Sequence, residues 1–264
     1  MQLRPHPALT NLVRHYLVLD GASTAASVHR LFADGNTGLV FNLNNATLCT
    51  TDAAPAQHTC WVYGQVSTYH DLLLTGSINW VVAVLQPYAA YHVWGIPATE
   101  WLNGLFPAAE VLGREVTTIT NRLANAQDVH DRVRLLDNFF LQAIDKEPNP
   151  DPLIVQAVQY INSRHGIVSV ESLLKSLPVN ERTLERKFKL HIGITPKRLV
   201  DVIRLTHSAK RMQRISGRLL TGVAYDSGYF DQAHFIKEFK KYTGITPHQY
   251  HAQAHPLALN FLRL

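Results

Sequence analysis

Two stretches of the chain, 51 positions apart, set the same kinds of side chain on one face of a helix. In the first, Leu184 and Phe188 form an apolar i,i+4 pair, and Glu181, Arg182, Thr183, Glu185, Arg186 and Lys189 fill the remaining face. In the second, Phe235 and Phe239 take the apolar positions, with Gln232, Ala233, His234, Ile236, Lys237 and Lys240 outside or at the edge. These residue types do recognition chemistry. Arg186 suits guanine O6 and N7, Gln232 suits adenine N6 and N7, and Glu185 can accept from cytosine N4. Lys189, Lys240 and Lys241 suit phosphates, which position a protein on DNA without specifying sequence.

Each stretch needs a helix-turn-helix to present it. Ser169 can cap a helix whose apolar residues Val170, Leu173, Leu174 and Leu177 fall at helical spacing. Pro178 ends that helix, and Asn180 caps the next one. The second copy runs from Leu219 to Tyr225, turns through Asp226-Ser-Gly228 and restarts at Asp231. Both copies close on Gly-Ile-Thr-Pro, at Gly193–Pro196 and Gly244–Pro247. Between them, Thr195 and Pro196 open a helix to about Ser216, with Leu199, Val202, Ile203, Thr206 and Ala209 inward. Lys197, Arg198, Arg204, Lys210, Arg211 and Arg214 face out. About twenty residues at ~1.5 Å make a rod of roughly 30 Å, near the ~34 Å repeat of the major groove on one side of B-DNA. An ordinary helical bundle with basic faces accounts for one copy but poorly for two.

The run from Gly228-Tyr-Phe-Asp-Gln through Gly244-Ile-Thr-Pro-His-Gln-Tyr250 resembles the signature of AraC/XylS-type transcription regulators. The resemblance spans about Pro150 to Tyr250. The first module departs from the usual Gly-hydrophobic-Ser turn, having Pro178-Val179-Asn180, and Lys237 stands where Arg is more usual. The resemblance implies base contacts by Arg182, Glu185 and Arg186 in the first module. Their counterparts in the second are Gln232, Ala233, His234 and Lys237.

Charge divides the chain. Residues 1–150 carry a net −4 and residues 151–264 a net +9, against +5 for the whole. An acidic half beside a basic half is the footprint of a nucleic-acid-binding domain carried by another. The Pro-rich run Lys146–Pro152 reads as a semi-rigid linker. The expected domains are therefore 1–147 for sensing or dimerisation, 148–252 for DNA, and a tail at 253–264. The tail histidines His248, His251 and His255 could hold a metal, but a frayed polar end is the plainer reading.

The front half predicts strands at Val13–Leu19, His29–Phe32, Gly38–Leu43, Cys60–Val66, Asp71–Leu74 and Asn79–Leu85. Helices are expected at Tyr88–Trp94, Ala98–Leu102, Thr117–Ala126 and Val129–Ile144. The expected fold class is α+β: a small antiparallel barrel or sandwich with appended helices, then an all-α double helix-turn-helix. Ala33-Asp34-Gly35, Tyr63-Gly64-Gln65 and Gln86-Pro87-Tyr-Ala-Ala90 resemble the cupin-like sensory domains found ahead of some AraC-type modules. Arg30, Trp61, Tyr63, His70 and Trp80 are candidates for a pocket, although aromatic core packing explains the rings as well.

Catalysis finds little footing. No His-x-His pair precedes residue 150, no Gly-rich phosphate loop or Gly-x-Ser-x-Gly elbow occurs, and Cys49 and Cys60 are too few for a cysteine-only zinc site. No catalytic residue, metal or cofactor is expected. No apolar run reaches the eighteen residues a membrane span needs, and the start lacks a secretory core, so a cytoplasmic protein is expected. The reading is a sequence-specific regulator that sets one recognition helix in each of two successive major grooves of double-stranded DNA. A small molecule or dimerisation through the front domain would modulate it. RNA polymerase and a second copy of the chain stay open as partners. The alternative is a DNA-directed enzyme, of repair or cupin type, with a catalytic front domain.

Overall fold

The computed structural model of the chain describes residues 1–21, 26–44, 46–50, 58–144, 150–214, 220–252 and 258–264. The front half builds two antiparallel sheets. One follows the order β1 (Gln2–Leu3), β2 (Val13–Gly21), β8 (Ile78–Leu85), β4 (Thr37–Asn42), β6 (Cys60–Tyr63), β9 (Leu105–Pro107). The other runs β10 (Phe261–Arg263), β3 (Ser27–Leu31), β7 (His70–Thr75), β5 (Thr47–Thr50).

The larger sheet is buried on both faces, which explains its unbroken apolar runs. In β8, Trp80, Val82 and Val84 join Leu72, Leu74 and Trp61 in a core between the sheets. Their alternates Val81, Ala83 and Leu85 meet the helical layer. That layer comprises α1 (Ala89–Trp94), α2 (Ala108–Leu112), α3 (Arg114–Ala124) and α4 (Val129–Ile144), with a 3-10 turn at Ala98–Trp101. On α3 and α4, Val116, Ile119, Leu123, Leu136 and Phe140 are the buried stripe. The Tyr16 hydroxyl donates to Asp137 Oδ1 at 2.9 Å and ties the sheet to α4.

The back half is helical: α5 (Pro152–Ser163), α6 (Val170–Lys175), α7 (Glu181–His191), α8 (Pro196–Gln213), α9 (Leu220–Asp226), α10 (Gln232–Thr243) and α11 (Pro247–Ala252). Asp151 caps α5 and also pairs with Lys187 of α7. The expected linker lies mostly outside the described residues, and α5 begins at its last proline. The central α8 has 18 residues, about 27 Å of rod at ~1.5 Å each. Its expected stripe is buried, together with Val200, Leu205, Ser208 and Met212. Three cations expected to face out instead fold back. Arg198 lies over the Tyr242 ring, Arg204 over Tyr229, and Arg211 pairs with Asp226.

The two halves share cores. Phe32, Ala33 and Val66 of the front pack with Val202, Leu205, Phe235, Phe239 and Tyr242 of the back. Tyr88 and Leu102 join the first module's core. The two glycines that follow the recognition helices have φ of +88° and +73°, where a side chain is strained. Both are also covered by the front domain. A methyl on Gly193 would lie 2.7 Å from the Ala98 carbonyl oxygen, and one on Gly244 would lie 2.5 Å from Arg30 Nη1.

The end of the chain departs from the frayed tail expected of it. Residues 261–263 pair antiparallel with β3, and Asn260 exchanges hydrogen bonds with Phe32 at 3.0 Å in both directions. The Phe261 ring stacks on His29 at 5.0 Å. A three-residue strand is too short to show a period, so its pattern was silent. His255 lies outside the described residues.

Phe239 is fully buried where back and front share a core. Phe239→Ala is expected to cost about 3–5 kcal/mol through the cavity it leaves. In a denaturant titration, tryptophan fluorescence from the front half and helical circular dichroism should shift together. Movement of the helical signal alone would show that the halves unfold separately.

Candidate nucleic-acid interface

The recognition helices are anchored the same way at their starts. The Asn180 side chain accepts from the Thr183 N–H at 2.9 Å, and the Asp231 side chain accepts from the His234 N–H at 2.7 Å. Leu184 and Phe188 in α7, and Phe235 and Phe239 in α10, are fully buried. Burying these pairs fixes the rotation of each helix, so the polar residues must face away. Arg182, Glu185, Arg186 and Lys189 are exposed, as are Ala233, His234, Lys237, Lys240 and Lys241.

The cations on this surface divide into free and engaged. Among the described residues, no acid forms an ion pair with Arg182, Arg186, Lys189, Lys237 or Lys240. Lys241 differs. Its ammonium sits 3.3 Å from Glu238 Oε1 and lies over the Tyr242 ring. Gln232 is half-buried, and its amide oxygen accepts from the Thr221 hydroxyl at 2.7 Å. That bond uses one of the two acceptor positions of the amide oxygen and leaves the other, and the amide N–H groups, for a base edge.

A second site lies between the sheets. A cavity of about 590 Å³ is lined by Leu17, Leu19, Val40, Leu48, Leu72 and Val82 and also by Arg14, His15, Asp34, Lys210 and Arg214, of which Lys210 and Arg214 are exposed and mark its opening. Of the five residues expected at a pocket, Tyr63 and Trp80 line it, whereas Arg30, Trp61 and His70 do not. Arg30 points off the outer face of β3, in a double hydrogen bond to Asp71 at 2.6 Å and with Tyr69 stacked on it. Trp61 is buried against Trp80, with ring centroids 6.0 Å apart.

The sequence offered no pattern for the cavity's charged end. A register shift between Val13 and His15 makes a bulge at Arg14, and bulges re-aim side chains. Arg14 donates to Asn36 Oδ1 at 2.9 Å, and Asn36 Nδ2 donates to Asp34 at 2.8 Å. Burial, then the Arg14 charge, pushes His15 down to about 4, so its imidazole is neutral near pH 7. Much of the Lys210 side chain is open to solvent, yet desolvation of its ammonium and then Arg14 hold it below the ordinary lysine range. One carboxylate, Asp34, among three cations, Arg14, Lys210 and Arg214, leaves the opening electropositive. Lys210 belongs to α8, so the helix that joins the modules also walls the cavity. Among the described residues no group of three or more His, Cys, Asp and Glu could hold a metal, and no helix is long and apolar enough to cross a membrane.

Comparison with known proteins gives these sites a setting. Residues 173–253 match the family model described as a helix-turn-helix domain, and residues 1–107 match a domain of unknown function, DUF6597. The HTH-type transcriptional activator RhaS of Escherichia fergusonii is 27% identical over 138 residues, 52% of this chain and 48% of the relative. RhaS of Pectobacterium carotovorum subsp. carotovorum is 37% identical over 79 residues, 30% of this chain and 27% of the relative. The matched region thus spans about half or less of these relatives, which are named as activators and not as enzymes. A crystal structure of ToxT from Vibrio cholerae, bound to (E)-4-(8-methylnaphthalen-1-yl)but-3-enoic acid, superposes with a TM-score of 0.51 at 13% identity. It covers 89% of this chain and 97% of ToxT, and the likeness is one of fold. The two capped recognition helices thus lie within the residues that match the helix-turn-helix domain, and that region is similar to part of the activator RhaS.

Proposed function

We propose that the chain is a sequence-specific DNA-binding transcription regulator that reads two successive major grooves, one recognition helix to each. The observation that carries this is the pair of capped helices, α7 and α10, whose exposed faces hold cations without acid partners among the described residues. Bare guanidinium and ammonium groups on a helix face are suited to phosphate and base-edge contacts. The activator names of the relatives support the same reading. Arg182, Glu185, Arg186, Gln232, Ala233, His234 and Lys237 are assigned to base edges. Lys189 and Lys240 are assigned to phosphates, with Lys241 after release from Glu238.

The front domain is assigned the sensing role. An apolar cavity with an electropositive opening suits an organic anion with a hydrocarbon body, the carboxylate held by Lys210, Arg14 and Arg214. Such a ligand would touch α8 directly. The acid named with the ToxT structure has this chemistry. Enzymatic use of the front domain has no comparable support.

Selection of the full-length chain on a randomised duplex library, followed across salt, tests the DNA reading. Two enriched half-sites and a steep salt slope are expected, and binding without enrichment would contradict sequence reading. On the selected duplex, Arg186→Ala should cost about 1–3 kcal/mol and relax preference at one position. Lys240→Ala should weaken all sequences evenly and lower the salt slope by about one. For the cavity, long-chain carboxylates should raise the melting temperature where matching alcohols do not. Lys210→Met should erase that difference; an unchanged preference for the acid would move the anion site elsewhere.

A further inference from the structure

Phe230 is 84% exposed, more than any other large apolar side chain among the described residues. Folding gives no reason for it. The residue before a helix N-cap commonly packs on the fourth helical residue, which here would set Phe230 on Phe235. Tyr229 takes that place instead. It is 4% exposed, with its ring 5.0 Å from Phe235 and 5.6 Å from His234. Phe230 is left in solvent beside the Asp231 cap, immediately ahead of Gln232, Ala233 and His234. In the first module the equivalent position, 51 residues earlier, is Val179, which packs against that module's core. The bare aromatic therefore belongs to the second module alone.

An apolar group at the leading end of a recognition helix has one well-matched partner on the major-groove base edges, the C5-methyl of thymine. Its neighbour Ala233 is exposed and brings no polar group to compete for that edge. We infer that Phe230 packs on a thymine methyl and makes the second module prefer thymine at one position of its site. This rests on the DNA reading proposed above, and adds a specificity residue outside the polar face of α10.

Uracil differs from thymine only by that methyl, so single replacements isolate the contact. The full-length chain is titrated with the best duplex from the library selection, each thymine replaced by uracil in turn. At one thymine in the second module's half-site, uracil should weaken binding about fourfold, the worth of one buried methyl group. Phe230→Ala should bind the thymine and uracil duplexes equally at that position, with an unchanged salt slope and an unchanged melting temperature. Phe230→Leu should restore part of the preference. If Phe230→Ala keeps the wild-type uracil profile, or weakens every duplex alike, the inference falls while the DNA reading stands. A wild-type chain that enriches no sequence withdraws both together.

Discussion

Each recognition helix ends on a glycine that is pressed from outside by the front domain. Gly193 lies under the Ala98 carbonyl, and Gly244 lies under the Arg30 guanidinium that Asp71 and Tyr69 hold in place. Positive φ already favours glycine at such turns, and the close approach of a second domain adds an independent reason. The seats are reinforced by shared cores, since Phe32, Ala33, Val66 and Leu262 pack among the second module's aromatics. Orientation of the two helices is consequently a property of the whole chain. Loss of either half would expose apolar surface that the other now covers.

Much of the back half was legible because its information is local. Caps at Ser169, Asn180, Thr195 and Asp231 accept the hydrogen bonds that their residue types suggest. The i,i+4 pairs Leu184/Phe188 and Phe235/Phe239 are buried as their spacing requires. Helix α5 was not anticipated, since its capping Asp151 sits within a run of prolines that reads as linker. The six strands expected in the front half are present, whereas the short β1, β5 and β9 of the front half and β10 at the end of the chain were not expected.

The sites divided along the same line. Helix faces follow from a 3.6-residue period, so the exposed residues of α7 and α10 could be named in advance. A cavity depends on which strands meet, and residues far apart in sequence supply its charged end. Arg14 arrives through a bulge, Asp34 through a turn, and Lys210 from a helix in the other half. Arg30 and His70 looked polar enough for a pocket, yet Arg30 is drawn to the outer face of β3 by Asp71 and His70 stays outside the lining. Phe230 escaped because the residue before a cap is normally a packing position, and Tyr229 had already filled it. The same helix, α8, supplies the second module's core and part of the cavity wall. A ligand there would bear on the element that spaces the two modules.

The measurement that bears most directly on this account is the spacing between half-sites. Full-length chain would be titrated with the selected duplex and with versions carrying about five or about ten extra base pairs between the half-sites, a half turn and a full turn. Modules held by one rod and two glycine seats cannot follow either insertion, so affinity should fall about a hundredfold, the advantage of binding through both modules at once. Equal affinity at every spacing would mean that the modules move independently, and that the front domain does not hold them in register.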